Sequence, residues 1–165
     1  MRDLLFQIKK GLFANLHYLS LFAALAIPDI CGAIDSEDGQ ASKENYINWF
    51  DRYVAPRYQG FFTGEDCYYF RCSLLHHDPS LQPKSQFSRI LFVEPTAIDT
   101  DVHCQVVEGA LSLDVRIFCQ DIIRGVEKWL EEKENTARYK INVAKFIRRY
   151  PEGLSPYIEG MPVIG

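Results

Sequence analysis

The chain carries no excess of positive charge: its net charge is −4 and its pI about 5.6. That excludes a protein whose whole surface coats DNA with lysine and arginine, while leaving room for a local basic site. No CxxC pair occurs, so a zinc knuckle is excluded. The sequence also lacks a phosphate-cradling glycine loop and a glycine-flanked nucleophile turn, which argues against P-loop and acyl-transfer enzymes. There is no internal repeat or low-complexity tract. The apolar run from Leu12 to Ile34 is interrupted by Asn15, His17, Ser20, Pro28 and Asp29. It falls short of the ~18 uninterrupted apolar residues of a spanning helix and is expected to be a buried core helix, with no membrane partner. The five cysteines, Cys31, Cys67, Cys72, Cys104 and Cys119, are odd in number and scattered, with no charged, apolar, small-residue leader before them. Reduced thiols in a cytoplasmic protein are the expectation.

What is present is enough for a core: 165 residues, 47% of them hydrophobic and 13% aromatic. Such a chain folds as one domain without staples. Leu4, Leu5, Ile8, Leu12, Leu16 and Leu19 recur at helical spacing and predict a helix over residues 2–27 that Pro28 ends or kinks. Ser42 is placed to cap a second helix through Tyr46, Trp49, Phe50 and Tyr53 to about Val54, where Pro56 stops it. Thr63 and Asp66 have the spacing of a capping box for a third, closed by Asp78-Pro79. Residues 89–93 and 102–107 read as short strands of a small hairpin. Helices are then expected over about 112–134 and 136–150, followed by an extended tail over 151–165. The fold class is mainly α (α+β): a single helical domain over residues 1–150, with a hairpin near 88–108.

The chemistry-bearing stretch is the third helix, which holds Arg71, His76 and His77 near its C-terminal end, with Cys67 and Cys72 beside them. Arginine holds phosphate through a planar fork of donors, and histidine exchanges a proton near neutral pH. RNA cleavage needs both functions: a base for the 2′-hydroxyl and a cation for charge developing on the phosphate. Five helical positions separate Arg71 from His76 by about 140°, so the two do not share one narrow face. Two copies meeting about a two-fold axis can line one cleft with both, which predicts a homodimer.

The Arg71-Cys72-Ser73-Leu74-Leu75-His76 arrangement at a helix end, in a mostly helical chain, resembles the HEPN superfamily. The resemblance implies a helical bundle and a composite, metal-independent endoribonuclease site at a homodimer interface. It further implies toxin-antitoxin or phage-defence biology, with RNA as substrate and an antitoxin protein as partner. Arg71 would steady the scissile phosphate and His76 act as base or acid, with His77 in reserve; no cofactor and no metal are required. Cys72 departs from the family, which usually carries a polar residue after the arginine, and so do the strands near 89–107.

Other readings of the same residues stay open. Arg71 can bridge to Glu65, Asp66 or an acid on a neighbouring helix, while His76 and His77 cap carbonyls and complement the helix dipole. The chain is then a non-catalytic helical dimerisation or partner-binding module. Cys67, Cys72, His76, His77, His103 and Cys104 are a weak zinc set, because neighbours on a strand face opposite ways. Ser73 and Cys72 beside His76 lack a third orienting group. Arg138, Lys140, Lys145, Arg148 and Arg149 offer either a basic approach for RNA or a solvated helix face, with Tyr139, Ile141, Val143, Phe146 and Ile147 on the core side. Trp49, Phe50 and Tyr53 can stack bases, but their spacing suits a core.

Overall fold

The computed structural model describes residues 1–76, 85–94 and 102–165, with the backbone alone for Leu75 and His76. These residues form a mainly helical fold with small sheets. The expected first helix is two. α1 spans Arg2–Phe13 and α2 spans His17–Asp35. Between them Asn15 adopts φ 57°, and the Leu16 and Asn15 N–H groups bond to the Gly11 and Leu12 carbonyls. This is a Schellman stop, for which asparagine is the best residue after glycine. Pro28 does not end α2, which continues for seven residues beyond it. α2 is long and apolar enough to cross a membrane by composition, yet 61% of that window is buried inside the fold.

α3 (Lys43–Tyr53) starts where expected, with Ser42 Oγ accepting from the Asn45 N–H at 3.1 Å. A 3-10 turn, Ala55–Tyr58, follows with Pro56 in its first turn. α4 (Gly64–His76) opens on the expected box: the Asp66 N–H donates to Thr63 Oγ1 and the Thr63 N–H to Asp66 Oδ2. α3 sits at backbone distance from its neighbours. A Cβ at Gly32 of α2 would lie 2.7 Å from the Asn45 carbonyl oxygen, and one at Gly64 2.7 Å from that of Ile47. The expected stop at Asp78-Pro79 lies outside the described residues.

The sheet corrects the expected hairpin. β1 (Arg89–Val93) pairs in parallel with β3 (Ala110–Asp114), and β2 (Gln105–Val107) pairs antiparallel with the other edge of β3. The turn between β2 and β3 is Glu108-Gly109, both with positive φ, as a two-residue hairpin demands. Residues 112–114 are therefore strand, not helix; Leu111 and Leu113 alternate into the core. α5 (Val115–Lys133) begins after Asp114, whose Oδ1 accepts from the Arg116 and Ile117 N–H groups and whose Oδ2 takes the Arg116 guanidinium at 2.8 Å. Burial opposes the Asp114 charge, but Arg116 and the two backbone donors outweigh it and hold the carboxyl below its ordinary value of 3.8. The stability it supplies is thus present above 3.8 and lost as pH falls through the lower folded value. Asp114→Ala is expected to cost about 1–2 kcal/mol in urea unfolding at neutral pH, and Asp114→Asn less, because asparagine still caps.

α6 is shorter than expected, Ala137–Val143. Asn142 turns inward and donates to the Ile34 and Ser36 carbonyls, and Ile141 and Ile147, expected in the core, are exposed. The tail is not simply extended. β4 (Arg149–Tyr150) pairs with β7 (Val163–Ile164), and β5 (Gly153–Leu154) with β6 (Ile158–Glu159). The core lies between α2, α3 and α5, with Phe62 joining Phe50, Tyr58, Phe92 and Phe118 in edge contacts at 5.5–6.4 Å.

Candidate functional site

α4 is seated by Tyr46 of α3. Its hydroxyl lies 3.1 Å from the Leu25 carbonyl of α2 and 3.2 Å from Cys67 Sγ of α4, while its ring meets Tyr68 edge-on at 5.4 Å. One side chain thereby fixes α4 against α2, and burial pushes both the Tyr46 hydroxyl and the Cys67 thiol well above their ordinary values. Cys72, five residues further on, is also buried. Both thiols pack inward as small hydrophobes do.

Arg71 emerges from this packed stretch. Its Nη2 forms a short ion pair with Asp29 Oδ2 of α2, and its guanidinium carbon lies 5.9 Å from the Tyr68 ring centre. The pair is mostly shielded, with side-chain exposures of 20% for Arg71 and 16% for Asp29. Burial raises the Asp29 pKa and Arg71 only partly offsets the rise; burial lowers that of Arg71, but Asp29 and Cys72 reverse the sign. The partner acid is therefore Asp29. Of the two acids on α4 considered from sequence, Glu65 binds Lys43 at 2.9 Å and Asp66 serves the cap. The rest of the Arg71 fork is lightly used: Nη1 has a 3.7 Å contact with Cys72 Sγ and the buried Nε has no partner.

His76 is the last described residue of α4. Its side chain, and His77 entirely, lie outside the described residues. Arg71 and His76 thus lie on one helix, five residues apart, and among the described residues that is all the fold brings together of the three. Sequence reasoning passed over Asp29, treating it as an interruption in an apolar run. The signal was there: a carboxylate inside a long apolar helix must find a cation or lose its charge.

His103 Nδ1 accepts from the Asp114 N–H at 3.3 Å. Among the described residues no three His, Cys, Asp or Glu side chains are grouped to hold a metal ion. All five cysteines are unbridged. Ser73 Oγ donates to the Tyr69 carbonyl within its own helix. Trp49, Phe50 and Tyr53 are buried core residues. Arg138 pairs with Glu37 at 3.7 Å, and Lys145 donates to Asn142 at 3.1 Å, so part of the basic face is tied to the protein itself. No family model, curated protein or solved structure matches the chain.

Proposed function

We propose that the protein is a HEPN-like, metal-independent endoribonuclease acting as a homodimer, with Arg71 on the scissile phosphate and His76 as the proton-transfer group. The observation that carries this reading is a guanidinium held in place yet not used up. Asp29 fixes Nη2, while Nη1 has only a thiol contact, five residues before His76 on the same helix. A prepositioned donor fork is what stabilises charge developing on a phosphate. Asp29 also cancels much of the arginine's charge, so affinity for RNA depends on geometry and on cations elsewhere, such as those of α6. In this mechanism the 2′-hydroxyl attacks the adjacent phosphorus, the 5′-oxygen leaves, and the product ends in a cyclic phosphate. His77 is the reserve for the histidine role, and an antitoxin protein the partner that would restrain the activity.

Purified protein in excess EDTA should cleave RNA to cyclic-phosphate ends, and His76→Ala should not. Cleavage that EDTA abolishes would overturn the metal-independent mechanism, and undiminished cleavage by His76→Ala would overturn the assignment of the proton-transfer group. The shielding of the Arg71–Asp29 pair supports a second reading, a non-catalytic partner-binding module in which Arg71 joins α4 to α2. That module cleaves no RNA at any ionic strength.

A further inference from the structure

The corner between α1 and α2 is apolar and uncovered. Within ten residues, Phe13 is 92% exposed, Leu16 50%, Tyr18 62%, Leu19 63% and Phe22 39%. With ~150–250 Å2 available to each such residue, they present roughly 450–750 Å2. That lies at or above the upper end of the ~300–600 Å2 of the largest apolar patch on a typical monomer. It approaches the ~800 Å2 that each partner gives to a stable interface.

Three further observations specify what covers it. From Gly11 to Pro28 the chain has no Asp, Glu, Lys or Arg, so this stretch itself brings no like charges together in a pair of copies; the one charged residue lining the adjoining groove is Lys10, whose Nζ lies 4.6 Å from the Phe6 ring centre. The patch also holds both halves of a self-complementary shape. Leu19 and Phe22 are exposed on it, and a groove of about 350 Å3 bordered by Leu19 and Lys10 runs between α1 and α2, with the small residues Gly11, Ala14, Ser20 and Ala23 in its lining. A Cβ at Gly11 would overlap Ser20 Oγ, so the floor is as low as the backbone permits. A two-fold interface requires this combination, since the same patch supplies knob and hollow. Finally, Leu19, Phe22, Ala26 and Asp29 recur at three- and four-residue spacing, so the stripe runs along α2 to the Arg71 ion pair.

We infer that the α1–α2 corner is the face on which a second copy of this chain docks, Leu19 and Phe22 of each protomer entering the groove of the other. The homodimer of the proposed function thereby acquires a specific face, one that ends beside Arg71. The face follows from the apolar surface alone and stands whether or not the protein cleaves RNA.

Sedimentation equilibrium of the full chain should give twice the chain mass. Leu19→Glu and Phe22→Glu, separately and combined, should reduce it to the chain mass with the circular dichroism spectrum unchanged. Tyr18→Glu, more exposed than Phe22, is the substitute should the double variant fail to fold. Ile164→Glu, on the exposed tail, should leave the dimer intact. A parent that is monomeric at 100-fold the assay concentration, a dimer that survives both substitutions, or one that Ile164→Glu breaks would overturn the inference. So would a monomer that floats with anionic vesicles through this corner, which would make the occupant a membrane surface. A dimer that cleaves no RNA leaves the face standing and removes only the ribonuclease.

Discussion

Replacing Arg71 with alanine is expected to lower RNA cleavage by about 10²–10³-fold, the range for removing one preorganised donor from a developing anion. The same change should also cost about 1–3 kcal/mol of stability, because it strands the mostly shielded Asp29 carboxylate without its cation. Two further variants separate these effects. Arg71→Lys keeps a charge near Asp29 but loses the planar fork, so it should recover part of the stability and little of the cleavage. Arg71→Ala combined with Asp29→Asn removes the stranded charge and should be more stable than Arg71→Ala alone, while staying inactive. If Arg71→Lys instead restores cleavage in step with stability, the arginine acts as a strut, and the partner-binding module becomes the better reading.

The pH dependence of that variant has a definite sign. Asp29 already titrates above its ordinary value because burial outweighs Arg71, and loss of Arg71 raises it further. The folded state then binds this proton more tightly than the unfolded chain, so stability falls as pH rises through the window from 3.8 up to the folded value. Acidification should therefore narrow the gap between Arg71→Ala and the parent in urea unfolding. Asp114 behaves oppositely, being held below its ordinary value, so the two acids are distinguishable in one titration.

What was legible in the sequence was local. Ser42 and the Thr63/Asp66 box each satisfy backbone donors within three residues, so the starts of α3 and α4 could be read directly. Arg71 could be singled out by residue type. Asp29 could be marked as an acid in need of a cation, but its pairing with Arg71 could not, because the two lie 42 positions apart and meet only once α2 and α4 are packed. The stop at Asn15 was overlooked because leucines at helical spacing continue across it, and only the tolerance of asparagine for positive φ marks the break. β3 was merged into α5 for a related reason. Leu111, Leu113, Val115 and Phe118 fit a helical stripe loosely, while the alternation of Leu111, Ser112 and Leu113 ahead of a capping Asp114 fits strand then helix better. The parallel pairing of β1 with β3 is non-local and has no signature in either strand. α6 ends early because Asn142 is drawn to carbonyls at the end of α2, another tertiary contact.

The largest loss of stability is expected from Phe62→Ala, about 3–5 kcal/mol by urea unfolding with the slope unchanged. Phe62 is fully buried and touches the rings of α3, the 3-10 turn, β1 and α5 at once, so no single neighbour can move in to fill the space. It directly precedes the Thr63 cap of α4, and Phe92 beyond it meets Phe70 of the same helix at 4.8 Å. Loosening this cluster therefore loosens the helix that carries Arg71 from both its start and its flank. For a domain whose whole stability is about 5–15 kcal/mol, the substitution removes a large fraction of the reserve. Phe61→Ala is the matched control: one position earlier and 46% exposed, it should change stability by about 1 kcal/mol or less. Phe62→Leu should fall between them, keeping most of the volume but losing the edge contacts, each about 0.5–1.5 kcal/mol beyond burial. A Phe62→Ala cost no greater than that of Phe61→Ala would mean that the aromatic cluster does not hold the sheet and α4 to the helical core, and that α2 and α3 alone position Arg71.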